Sequence, residues 1–203
     1  MKTIAATLVT RLPYAFEYDP APILEAAKKV DERGLISISI PIHTENPNNG
    51  GVLIDRLEKE GLFLVGKVAW YRDRHIVTSK RRLTNTWEPL AIFAKTKKYI
   101  INRDAPAKTK KGYEHRETAF DEDEYLTCIG DHWAVRNDRV DRRWLPQTVV
   151  LNCAQLADIQ PGDAILDPYG NPGVKKACDA FKWKYKDGGL PSDLRNPRGK
   201  AGK

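Results

Sequence analysis

Pro161-Gly162-Asp163-Ala164-Ile165-Leu166-Asp167-Pro168-Tyr169-Gly170-Asn171-Pro172-Gly173 is the stretch on which the reading of this 203-residue chain turns. Pro161-Gly162 is a turn signal, and Ala164-Ile165-Leu166 is a short apolar run that reads as a buried strand. The run Asp167–Gly173 is rich in Gly and Pro, and Val174 to Phe181 reads as the following helix. A Gly-rich turn between a strand and a helix lets backbone approach a ligand and aims helix N–H groups at it. On its own the same pattern also describes an ordinary strand-to-helix turn.

Outward from this stretch the pattern repeats. Upstream, Thr148 is placed to cap a helix carrying Val149, Val150, Cys153 and Leu156; downstream, Trp183 to Tyr185 reads as a strand. At the other end of the chain, Ile4 to Val9 reads as a buried strand followed by the loop Arg11-Leu12-Pro13-Tyr14. Asp19-Pro20 opens a helix on which Ile23, Leu24, Ala27 and Val30 recur, and Gly34 ends it. Ile36, Ile38 and Ile40 alternate with Ser37 and Ser39, which predicts a strand. Val52 to Glu60 predicts a helix, Leu62 to Tyr71 a strand, and Leu90 to Ile101 a strand pair or one long strand. Strands alternating with helices predict an α/β fold with a mostly parallel sheet. Ligands of such sheets bind beyond the carboxyl ends of strands, where Arg11–Phe16 and Asp167–Gly173 both fall.

Apolar residues make up 41% and charged residues 30%, which argues against global disorder. No run approaches the length of a membrane span, and the amino terminus lacks the pattern of a signal peptide. Cys128, Cys153 and Cys178 are isolated thiols, so the chemistry expected is that of a reducing, cytoplasmic setting. The four His residues have no partner at metal-ligand spacing, and no metal is expected. The net charge of +7 is unevenly placed. Residues 72–111 hold 12 bases against 3 acids, whereas residues 112–131 hold 1 base against 7 acids. A basic block interleaved with Trp70, Tyr71, Trp87 and Tyr99 suits phosphate and base contacts, although a solvated face carries the same signature.

The motifs, read in order, resemble the β-class of DNA amino-methyltransferases, which methylate adenine N6 or cytosine N4. Residues 161–173 look like the family's "PGD-x-VLDPF-x-G-x-G" S-adenosylmethionine loop. Trp144-Leu145-Pro146 with the following helix looks like the segment that also lines the cofactor pocket. Asn85 to Lys95 resembles the "E-x-I-L-x-F-x-K" strand, with Glu88 in the acidic position, and Trp70 after Val68-Ala69 resembles "V-x-W-x-K". Residues 4–14 look like the strand bearing the catalytic D-P-P-Y loop.

The resemblance implies a methyltransferase-like, Rossmann-like sheet flanked by helices, with residues 1–101 and 144–187 forming the core. Residues 102–143 are expected to form a polar inserted recognition region projecting from it, and residues 188–203 a disordered basic tail. The strands ending at Val9 and Asp167 should be neighbours. The implied cofactor residues are Pro146, Asp167, Pro168, Tyr169, Asn171 and Gly173, and the implied catalytic loop is Arg11, Leu12, Pro13 and Tyr14.

Three departures stand out. Arg11 replaces the acceptor that holds the target amino group, and Arg has no acceptor capacity. Asn171 and Pro172 replace the first glycine and its neighbour in G-x-G. If the register at the first loop is shifted, Glu17 or Asp19 is the acid available. After Lys182-Trp183-Lys184-Tyr185, only Asp187 stands near the place of the acid that binds ribose in the family. The expectation is a DNA-binding relative with impaired methyl transfer; the alternative is an active enzyme with atypical motifs. S-adenosylmethionine is the cofactor if the chain is active, and none is required otherwise. The phosphate contacts expected are Lys80, Arg81, Arg82, Lys95, Lys97, Lys98, Lys108, Lys110, Lys111, Arg136, Arg139, Arg142 and Arg143. The partners expected are DNA and either a second copy of the chain or another methyltransferase subunit.

Overall fold

A computed structural model describes residues 6–43, 45–72, 87–102, 132–135 and 144–188. Among these residues seven strands form one sheet: β1 (Ala6–Arg11), β2 (Leu35–Ser39), β3 (Phe63–Arg72), β4 (Trp87–Ala94), β5 (His132–Val135), β6 (Ala164–Asp167) and β7 (Lys184–Asp187). The order across the sheet is β5-β3-β4-β2-β1-β6-β7. The pairs β1–β2, β1–β6, β3–β5 and β6–β7 are parallel; β4 alone runs against both of its neighbours. The sheet is therefore mostly parallel. Leu8 faces Leu166 in register, so the two candidate loops leave adjacent strands, as the motif order predicts.

Helices α1 (Ala21–Ala27) and α2 (Asn49–Lys59) cover one face; α3 (Gln147–Leu156) and α4 (Pro172–Phe181) cover the other. Successive residues of β1 show why the strand reads as a continuous apolar run. Leu8 packs among Ile23, Ile36 and Leu53, while Val9 packs among Val149, Cys153 and Ile165. A strand buried on both faces has no reason to alternate. Ser37 and Ser39, read as the polar side of β2, are also buried.

Several boundaries differ from the sequence reading. Helix α1 stops at Ala27, because the chain tightens into bonds from Lys29 N to Ala26 O and Val30 N to Ala27 O, three residues apart. The stretch expected as one strand or a pair over 90–101 yields only β4, which ends at Ala94. The hydroxyl of Thr96 accepts from Lys98 N and turns the chain out of the ladder. Ile100 N then donates to Arg33 O and Asn102 N to Leu156 O. Pro146, not Thr148, is the cap of α3. Within 102–143, expected to hold no core element, β5 pairs with β3 and Trp133 is buried in the core. Four residues are too few to show a period, which is why the strand escapes a sequence reading. The expected tail beyond residue 188 and the rest of the insert lie outside the described residues.

Candidate functional site

The parallel strands all end at one edge, and the antiparallel β4 begins there. Four strands meet at that edge through side chains. Arg11, the last residue of β1, donates from Nε to Glu88 Oε1 at 2.8 Å and from Nη2 to Glu88 Oε2 at 2.7 Å. This is a two-point, planar pair, with only 12% and 14% of the two side chains exposed. Ser39 Oγ of β2 also donates to Glu88, and Trp70 Nε1 of β3 donates to Ser39 Oγ at 2.8 Å. By sequence Arg11 is an uncompensated cation facing a ligand. In the fold its charge is matched by the carboxylate of Glu88.

The rest of the first loop is held by the segment after β2. Leu12 is buried, and its N–H donates to Ser39 O. Asn49 Nδ2 donates to Ala15 O, Asn46 Nδ2 to Phe16 O, and Tyr18 Oη to Pro41 O. Pro13 is half-buried between these anchors. The ring of Tyr14 stacks on His43 at 4.7 Å, and Phe16 meets the same imidazole edge-on at 5.4 Å. An aromatic surface is thus present, but His43 already lies against Tyr14. Of the alternative acids, Glu17 is exposed and Asp19 accepts from Ala21 N at the start of α1.

The second loop is organised by Asp167, the fully buried end of β6. Its carboxylate accepts from Thr10 Oγ1 at 2.6 Å, Tyr169 N at 3.2 Å, Tyr185 Oη at 3.4 Å and Asn171 N. Burial pushes this carboxyl up to about 6 against the pull of those donors, and Asp187 adds to the rise. Burial likewise raises Tyr169 above the ordinary tyrosine range. Cys153 and Cys178 are pushed up to about 12 by burial, so neither is a thiolate nucleophile. Asn171 Oδ1 accepts from Gly173 N at 2.9 Å and from Leu145 N at 3.1 Å. A Cβ on Gly173 would lie 1.9 Å from Leu145 O, so only glycine allows the starts of the two helices to meet this closely. Pro146 caps α3 beside this junction.

Asp187 ends β7 and pairs in register with Asp167. With Pro168, Gly188, Lys186 and residues of α1 it lines a cavity of about 300 Å³. Asp187 thus lies at a strand end next to the loop, near the position that the resemblance implies for a ribose-binding acid.

S-adenosylmethionine, implied by the sequence resemblance, meets a divided site. Asp187 places a carboxylate at the end of β7, beside the cavity. Among the described residues the backbone donors at the loop end are already engaged: Gly173 N is held by Asn171 Oδ1, Val174 N and Lys175 N donate to Asn171 O, and Pro172 has no N–H. These residues do not fit the carboxylate end of the cofactor.

Three of the thirteen basic residues expected to contact phosphate are among the described residues. Lys95, Lys97 and Lys98 follow the end of β4, at the edge opposite the two loops. Lys95 Nζ donates to Lys28 O and Val30 O after α1, and Lys97 lies over the Phe63 ring. Lys80, Arg81, Arg82, Lys108, Lys110, Lys111, Arg136, Arg139, Arg142 and Arg143 lie outside the described residues. The connection holding residues 80–82 joins Arg72 to Trp87, both at the loop edge. That holding the four Arg joins Val135 to Trp144, and β5 also ends at this edge. Sequence reasoning missed Glu88 as the partner of Arg11, since 77 residues separate them. Among the described residues no group of three or more acidic, His or Cys residues suits a metal, and no helix is long and apolar enough to cross a membrane.

No family model matches the chain. Over 137 residues, 67% of its length, it is 28% identical to the type II methyltransferase M.MwoI of Methanothermobacter wolfeii, of which it spans 17%. Its fold matches the cytosine-N4-specific PvuII DNA methyltransferase with a TM-score of 0.66, at 13% identity over 90% of this chain and 73% of that one. It matches the M1.HpyAVI–SAM complex with a TM-score of 0.60, at 15% identity over 90% and 81% of the two chains. A putative DNA modification methylase from Thermus thermophilus, solved with S-adenosyl-L-methionine, gives 0.60 at 13% identity, covering 97% and 86%. With the seven-stranded sheet and the paired loops at its carboxyl edge, these likenesses make the chain a DNA amino-methyltransferase-like protein in fold.

Proposed function

We propose that this chain binds DNA on the methyltransferase-like fold and has lost methyl transfer. The observation that carries the reading is the Arg11–Glu88 pair. Position 11 closes the strand that bears the catalytic loop in the resembled family, and it holds a guanidinium locked to a carboxylate. A guanidinium cannot accept a hydrogen bond from an amino group. Glu88 already accepts from Arg11 and Ser39, and the paired guanidinium neutralises it, so it is a poor substitute for the missing acceptor.

DNA then approaches the edge where both loops lie. The basic residues suited to that approach are Lys80, Arg81, Arg82, Arg136, Arg139, Arg142 and Arg143, whose connections start and finish at this edge. Lys95, Lys97 and Lys98 stand at the opposite edge and are excluded from the proposed contact. The protein partner of this reading is another methyltransferase subunit.

Fluorescence anisotropy on a labelled mixed-sequence duplex tests the assignment. Changing Lys80, Arg81 and Arg82 together to Ala should weaken binding and reduce the salt slope by roughly 0.9 per lost phosphate contact. Lys97→Ala with Lys98→Ala should leave both unchanged. The opposite pattern, or binding that is insensitive to salt, contradicts it.

A further inference from the structure

We infer that Asn171 is a built-in ligand: its side-chain oxygen fills a two-donor site between the starts of α3 and α4 that would otherwise receive the carboxylate of a small molecule. This site lies on the cofactor side of the fold and does not depend on DNA binding. One amide engages the junction completely. Asn171 Oδ1 accepts from Leu145 N at 3.1 Å and from Gly173 N at 2.9 Å. These two donors come from different segments and converge on one oxygen, the arrangement a carboxylate would meet where two helices begin side by side.

The surrounding atoms fix that oxygen in place. The backbone N–H of Asn171 is held by Asp167, and its carbonyl accepts from Val174 N and Lys175 N. Asn171 is buried, with backbone angles of −71° and 118°, an ordinary extended conformation that costs the residue no strain. The close approach of Gly173 to Leu145 O keeps the starts of the two helices at the spacing one amide oxygen bridges. Both donors are therefore satisfied from within the chain. A ligand oxygen arriving here would have to displace an acceptor that is already positioned and carries no cost of association.

Glycine at position 171, as in the G-x-G pattern of the resembled loop, would remove the oxygen and leave both N–H groups facing the space it vacates. The substitution Asn171→Gly should thus open a carboxylate site that the natural chain keeps shut. Asn171→Asp, which retains an acceptor oxygen of the same reach, should keep it shut. Asn171→Ser, whose hydroxyl is too short to serve both donors, should open it in part.

Isothermal titration calorimetry and thermal shift with S-adenosylhomocysteine, on the full chain and these three variants, decide the matter without any activity assay. The natural chain and Asn171→Asp should show no saturable binding up to millimolar ligand. Asn171→Gly should melt lower when free, yet bind on the order of tenfold or more tightly than the natural chain and rise in melting temperature with ligand. Should Asn171→Gly fail to fold, Asn171→Ser carries the same expectation at smaller amplitude. Natural protein that binds as tightly as the folded Gly or Ser variant overturns the inference, as does a folded variant that gains no binding.

Discussion

Arg11 is the residue whose surroundings change its meaning most. By residue type it is a cation where an acceptor is wanted; in the fold it is half of a nearly buried pair with Glu88, tied through Ser39 to Trp70. Removing one member of such a pair strands the other in a poorly hydrated place. Arg11→Ala and Glu88→Ala should each lower stability by about 3 kcal/mol, read from urea unfolding. The double variant should lose clearly less than the sum of the two, and simple additivity would show that the pair does not act as a unit. The same coupling means that Arg11→Asp alone does not rebuild an acceptor, since it sets two carboxylates against each other. Asp167 gives a second prediction. Its folded value, about 6, lies above the ordinary 3.8, so the folded state holds the proton more tightly than the unfolded chain. The stability this group contributes is complete below about pH 4 and is lost as pH rises through about 6. Melting temperatures across pH 4–7 should fall more steeply for the natural chain than for Asp167→Asn; identical slopes would contradict the assignment.

Elements were legible in the sequence where burial left a pattern or a motif fixed an end. Strands β1, β2, β3 and β6 and helices α2, α3 and α4 stand close to their expected places, α1 ends early, and the adjacency of β1 to β6 followed from motif order. What stayed hidden depends on contacts made across the sheet. Strand β5 is four residues long and exists because it pairs with β3. The early end of β4 depends on one hydroxyl at Thr96. The Arg11–Glu88 pair joins segments that are remote in sequence, so neither residue signals the other. The edge strand β7 bears on partnership. It spans Lys184–Asp187, and both of its lysines are exposed. Short strands with charged side chains guard a sheet edge against pairing with a copy. We therefore expect the isolated chain to be a monomer of 23.0 kDa by light scattering at micromolar concentration. A dimer mass would contradict this and favour pairing between copies over pairing with another methyltransferase subunit.

For the molecule as a whole, the same edge of the sheet holds the loop after β1, the loop after β6 and the ends of two basic connections. A methyltransferase-like fold would present DNA and cofactor to one another here. Three places at this edge are occupied by side chains of the chain itself: Glu88 on Arg11, His43 on Tyr14, and Asn171 between Leu145 and Gly173. On the proposed reading, each stands where the resembled family would make a contact to a ligand. A frame that binds nucleic acid without transferring a methyl group is consistent with all three. Losing one pre-organised contact to a reacting group costs a catalyst about 3–4 kcal/mol, or several hundred-fold in rate. On the proposed reading, two such losses on separate ligands would leave no useful turnover. The most direct measurement is transfer of tritium from labelled S-adenosylmethionine to mixed-sequence duplex and single-stranded DNA, at protein concentrations where binding to that DNA is saturated. Incorporation by the natural chain should be no higher than that of Tyr14→Ala. Sustained incorporation by the natural chain that Tyr14→Ala abolishes would contradict the loss of methyl transfer and establish an active methyltransferase.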